Sequence, residues 1–222
     1  MKKRDLELYL NANRAEAEMY LSNDMLRKAW QYVQTNNFSD VLPYHNNTHI
    51  LTVVKWCGRI LGAKGLSAEY NRALLLAALF HDFRHSGGTK PDADNIQVAI
   101  AGLQDFYDKH VKVHPFMLEL ATGCIRVTEY PFVHEPKTPI QMIIRDADIL
   151  QSFEPNYKEM LMEGLRHEIS SARGEKISRR QYFENTVKFM ESVTFYMEEA
   201  QRYADAVRST FICNMRKLAE RS

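Results

Sequence analysis

The amino-acid sequence predicts an all-α protein built as a single helical domain. Three observations carry that expectation. Apolar residues recur at helical intervals along most of the chain, and no β-branched alternation is long enough for a strand. Helix-breaking residues are sparse: 9 glycines and 7 prolines in 222 residues, most of them near 58–65, 87–91 and 131–139. No repeat, low-complexity tract or linker divides the sequence, and its length is ample for one hydrophobic core.

The elements follow in order. Up to about Gln34, Tyr9 and Leu10, then Met19, Tyr20, Met25, Leu26, Trp30 and Val33 mark one or two amphipathic helices. Residues 35–40 form a turn, and Pro43 stops a helix from crossing it. A helix begins near Asn46 and ends at Gly62. Ser67 caps the next, with Glu69 in its first turn and apolar residues through Phe80. A polar loop spans about Arg84 to Asp94. Helices then cover 95–109, 114–127, 138–151, 155–171 and 178–219. The last is one long helix whose aromatics (Tyr182, Phe183, Phe189, Phe195, Tyr196, Tyr203) suit packing on a globular core better than a coiled coil.

Composition narrows the function classes. The net charge of +1 argues for neither nucleic acid nor an anionic membrane as partner. The longest apolar run, Ala73 to Phe80, is too short to span a bilayer. The opening MKKRDLELYLNANR lacks the apolar stretch of a secretory signal. Cys57, Cys124 and Cys213 are widely spaced and read as reduced thiols of a cytoplasmic protein, which excludes a zinc finger or a disulfide scaffold.

Chemistry concentrates in three short stretches. YHNNTH carries His45 and His49 at i, i+4, on one face if the helix has begun by then. LFHDFRH repeats the spacing with His81 and His85, and Asp82 follows the first. That pair closes an apolar run, where a buried helix delivers polar side chains to the floor of a cleft. Such groups need a metal or a hydrogen-bond partner. IIRDADIL places Asp146 and Asp148 among apolar residues: one can complete a metal site while the other orients a ligand histidine. Histidines with carboxylates suit Mn, Fe, Zn, Ni or Mg. Each residue alone has a plain structural reading as a satisfied core histidine, a cap or a surface acid. The three stretches together favour metal.

In the order H…HD…D, the stretches resemble the motifs of the HD-domain metal-dependent phosphohydrolases over positions 44–150, and more weakly to about 219. YHNNTH and HDFRH are similar to segments of the cyclic-nucleotide phosphodiesterase branch; DADN and RDADIL resemble small bacterial members. The resemblance implies an HD-type domain with the N-terminal helices 1–40 and the helix 178–219 packed on it. It implies His49, His81, Asp82 and Asp148 as ligands of a first divalent ion, with Asp82 bridging to a second where one binds. Asp148 is preferred to Asp146 by its Ala-Asp-Ile context. His45 is implied as the general acid, with Asp82 the other catalytic residue. His85 is either a ligand of the second ion or a residue that orients a ligand, and Asn95 supports a ligand or touches substrate. Gln181 falls near the purine-gripping glutamine of the phosphodiesterases. No GYP follows the HD pair, the acidic pair of guanosine tetraphosphate hydrolases is absent, and the loop 86–94 is longer and more polar than in the mammalian phosphodiesterases.

The implied activity is hydrolysis of a small phosphate ester, nucleotide-like, most simply a phosphodiester. The alternatives are a nucleotide monophosphatase with the same metal site, and a regulatory module that binds metal or nucleotide without turnover. Arg84 and Lys90 can neutralise substrate phosphate or stand as solvated loop charges; Tyr44, Phe83, Tyr130 and Phe132 can stack on a base or pack into core and rim. The helices before Leu42 and after Ser178 either cap the site or form a homodimer.

Overall fold

The computed structural model describes residues 3–111, 115–154 and 158–220. Among these residues there is no strand, and ten α-helices follow one another through short connections. The first two, α1 (Lys3–Tyr20) and α2 (Asp24–Asn36), are the expected N-terminal pair, and Asn23 caps α2. A 3-10 turn, Phe38–Val41, occupies the expected break.

Two helices form the centre. In α3 (Asn47–Leu61) all but three residues are buried, so it is enclosed on every side by its neighbours. In α4 (Ala68–Phe80) the run Ala73 to Phe80 is wholly buried. The cap expected at Ser67 is in place, accepting from the Tyr70 amide, and the helix expected to begin near Asn46 is capped by Asn46 itself, which accepts from the Thr48 and His49 amides. Around this pair, α1 and α7 (Pro139–Leu150) pack on α3, while α2, α5 (Asp92–His110), α6 (Pro115–Arg126) and α7 pack on α4. The first turn of α7 is secured by a reciprocal Thr138–Gln141 capping box with Pro139 behind it.

Two expected elements differ. Of the helix expected over 155–171, residues 155–157 lie outside the described ones. Its described part passes through a π-helical turn, Met160–Leu165, into α8 (Arg166–Arg173). Gly164 in that turn lies against Pro43, whose carbonyl oxygen is 2.6 Å from where a Cβ would stand. The single helix expected over 178–219 is two, α9 (Arg179–Ser192) and α10 (Glu198–Ala219). The cause of the break is a carboxylate from α7: Asp146 accepts from the Tyr196 amide at 3.1 Å and the Met197 amide at 2.6 Å, capping α10 from across the core. No glycine or proline marks this break in the sequence.

No described helix is long and apolar enough to cross a membrane. The three cysteines are free, Cys57 and Cys124 buried and Cys213 exposed.

Candidate metal centre

Four side chains from three places in the chain meet in the core. The Asn46 cap fixes the first turn of α3 and so the backbone of His49, whose side chain is 2% exposed. His81 ends α4, its amide bonded to the Ala77 carbonyl at 2.8 Å; Asp82 follows it, and Asp148 comes from α7. The Nε2 atoms of His49 and His81 are 3.1 Å apart. Asp82 Oδ2 lies 2.8 Å from His49 Nε2 and 3.5 Å from His81 Nε2. Asp148 Oδ1 lies 3.4 Å and 3.8 Å from the same two nitrogens. The carboxylates are the accessible side of the cluster: the side chain of Asp148 is 25% exposed and that of Asp82 14%.

His49, His81 and Asp148 bring three donor atoms within 4.8 Å of one another, a group that could hold a metal ion, and Asp82 lies beside them. His81 Nδ1 is 2.9 Å from the Ala78 carbonyl, which can only accept, so Nδ1 carries a proton and Nε2 is the ring nitrogen turned to the cluster. His49 Nδ1 is met by the Gln151 carboxamide, whose nitrogen also donates to Tyr44 Oη at 3.0 Å. The Gln151 oxygen is buried without a partner. Exchanging the oxygen and nitrogen of this carboxamide would let the oxygen accept from His49 Nδ1–H and leave a lone pair on His49 Nε2. Two ring nitrogens and two carboxylates meet here, and the carboxylates favour positive charge, carried by protons on the histidines or by a cation.

The proton affinities agree. Burial opposes the His49 imidazolium, but Asp82 and then Asp148 outweigh it and raise the pKa. Burial opposes ionised Asp82 too, yet His81, His49 and His45 hold it well below the usual carboxylate range. Burial pushes Asp148 up, with Asp82 adding to the rise. The two carboxylates part because the histidines outweigh burial at Asp82 while burial prevails at Asp148.

His45 sits beside this cluster in a different setting. Because α3 starts at Asn47, His45 precedes the helix and shares no helical face with His49. It is held instead by Glu168 of α8. One oxygen of Glu168 accepts from the amides of Tyr44 at 2.5 Å and His45 at 3.0 Å, and the other lies 2.5 Å from His45 Nδ1. The His45 ring stacks on that of His85, with centroids 3.8 Å apart. Burial lowers the His45 pKa, and the Glu168 hydrogen bond works against that fall.

His85 has both ring nitrogens engaged. Gly87 N–H donates to Nδ1 at 3.0 Å, while Asn95 Nδ2 at 2.9 Å and Asp92 Oδ1 at 3.5 Å surround Nε2. His45, His85 and Glu168 bring three donor atoms within 4.8 Å of one another, a second group that could hold a metal ion, and His45 and Glu168 are bonded to each other within it. Asn95 touches His85 and no proposed ligand.

Other expected site residues lie elsewhere. Asp146 faces away from the histidines and caps α10, so it orients none of them. Arg84 is exposed; its Nε donates to the Asn36 carbonyl at 2.9 Å and its guanidinium lies over the Phe38 ring. Lys90 and Gln181 are exposed, their amides bonded to Ser86 and Ser178. Tyr44 and Phe83 are core residues, and Phe132 carries the Arg145 guanidinium 3.9 Å over its ring. Only Tyr130 of the four aromatics is strongly exposed, at 58%, and its amide donates to Asp92 at 2.7 Å.

Three residues of the site are given no role by the sequence: Gln151, Glu168 and Asp92, although Asp92 opens the DADN stretch and Glu168 closes Leu165-Arg166-His167-Glu168, which also resembles the small bacterial members. The one signal for Gln151 is its place, a polar residue between Leu150 and Phe153 three positions after Asp148. No protein-family model matches the chain, and no curated protein matches it.

Proposed function

We propose that this protein is a divalent-metal-dependent phosphohydrolase acting on a phosphodiester of nucleotide type, with His49, His81, Asp82 and Asp148 holding the cation. The observation that carries the reading is the convergence of two histidine Nε2 atoms 3.1 Å apart with two carboxylates in a buried cluster open on its acidic side. A divalent ion supplies there the charge that polarises a phosphoryl oxygen and acidifies water, the two needs of phosphate-ester hydrolysis.

The chain's own residues supply the rest. Glu168 takes the proton-bearing Nδ1 of His45, so a protonated His45 keeps Nε2–H to give to the departing oxygen as the P–O bond breaks. The His85 ring stacked on His45 fixes the plane of the donor. Gln151 and the Ala78 carbonyl set the rings of His49 and His81. The buried walls of the cluster keep bulk water from competing at these contacts.

The test is hydrolysis of bis-p-nitrophenyl phosphate with Mn added, comparing wild type with His81→Ala and Asp82→Ala. Turnover lost in both variants supports the reading; undiminished turnover in either sinks it. Release of inorganic phosphate from a nucleotide monophosphate, with no turnover of diesters, would replace the diesterase assignment by a monophosphatase.

A further inference from the structure

A second buried polar group lies behind the centre, and nothing in the proposed chemistry uses it. Lys55 Nζ is 2.5 Å from Glu154 Oε1, and the two side chains are 1% and 6% exposed. The same ammonium donates to Asn13 Oδ1 at 2.9 Å. Trp56 Nε1 donates to the Oε1 that Lys55 holds, and Tyr9 O–H donates to Oε2. A buried ion pair is weak evidence of added stability, because desolvation offsets most of the attraction; its best-attested use is to fix register.

The register in question is that of the turn between α7 and the residues that follow. Glu154 closes the 3-10 turn Gln151–Phe153, its amide donating to the Gln151 carbonyl at 3.1 Å. At the other end of this turn the Gln151 side chain is fully buried against His49 Nδ1 and Tyr44 Oη. His49, Lys55 and Trp56 all belong to α3. One helix therefore grips one short turn at two points, through Glu154 and through Gln151. A turn held at a single point could pivot; held at both, it fixes where the carboxamide sits.

We infer that Lys55 and Glu154 are positioning residues: by locking the turn to α3 they hold the Gln151 carboxamide on His49 Nδ1, and so set which ring nitrogen of His49 faces the cluster with a lone pair. For the consequence to metal affinity, this rests on the proposed role of His49; the tautomer itself does not.

The experiment uses the full chain labelled with 15N-histidine, with Glu154→Gln as the isosteric change and Lys55→Met as a volume-matched second variant. Long-range 1H–15N spectra of chelator-treated protein read the His49 tautomer directly, the signal being assigned by its loss in His49→Asn. Affinity for Zn is read separately by competition with a chromophoric chelator. The expected result is a single His49 tautomer in wild type, mixed signals in either variant that folds, and a Zn affinity lower by about 10- to 100-fold. In a Gln151→Ala background, Glu154→Gln is expected to cost less than about twofold more, since residues acting through one another are non-additive. An unchanged His49 pattern in folded Glu154→Gln and Lys55→Met would overturn the inference. So would an equal Zn loss with and without Gln151, which marks general loosening of the fold. Wild type that binds no divalent metal would defeat the proposed function but leave the tautomer result to decide this one.

Discussion

His45 Nδ1 lies 2.5 Å from Glu168 Oε2, a contact between residues 123 positions apart. The other oxygen of that carboxylate holds the two amides leading into the ring, so Glu168 sets both the backbone and the side chain of the proposed proton donor.

Glu168→Gln is therefore expected to lower turnover with metal content unchanged, and to move its pH profile. The donor must be protonated, so the rate falls as pH rises through the His45 pKa. Burial places that pKa below 6.5 and Glu168 raises it against burial; removing the negative charge moves the alkaline limb to still lower pH. His45→Ala is expected to lose about 10²- to 10⁴-fold in turnover and keep its metal. A pH–rate series with metal analysis of each variant checks both. Loss of metal from His45→Ala would mark His45 as a ligand.

Asp146 and Asp148, two positions apart on α7, are expected to separate cleanly. Asp146→Ala leaves the Tyr196 and Met197 amides without their cap, at a cost of about 1–2 kcal/mol, and leaves metal affinity near that of wild type. Asp148→Ala removes a half-open carboxylate from the cluster and is expected to weaken metal binding with a smaller effect on stability. Urea unfolding and chelator competition on the two variants measure the contrast.

Gly164→Ala tests the seating of the π-helical turn on the segment before His45. The added methyl would stand 2.6 Å from the Pro43 carbonyl oxygen and 3.4 Å from the Tyr44 Cβ, so one backbone must give way. A loss of about 1–3 kcal/mol in stability is expected, the usual cost of overpacking, with turnover falling more than metal affinity. Equal turnover in the variant would mean that this contact does not position His45.

The local rules of helix formation made most of the framework legible. The caps at Asn46 and Ser67 and the stop at Gly62 were written in side-chain chemistry within a few residues of the boundary they set. The same holds for the three stretches that meet at the centre, because histidines and acids inside apolar runs stand out. What could not be read depends on contacts between distant segments. The break between α9 and α10 is imposed by Asp146 of α7, and the local sequence alone favours a continuous helix. Asp146 and Asp148 are equivalent as letters, and only the direction each takes from α7 separates a cap from a ligand. Glu168 resembles any helical glutamate until the fold brings it to His45, and Arg84 beside the HD pair is drawn off by the Asn36 carbonyl and the Phe38 ring.

The central claim is that the His49, His81, Asp82 and Asp148 cluster holds a divalent ion, and direct titration of chelator-treated protein with Mn and Zn tests it most plainly. Saturable binding of at least one ion per chain, lost in His81→Ala and Asp148→Ala and retained in Asp146→Ala, is the predicted result. Wild type that binds neither ion, or variants that bind as wild type does, would contradict it.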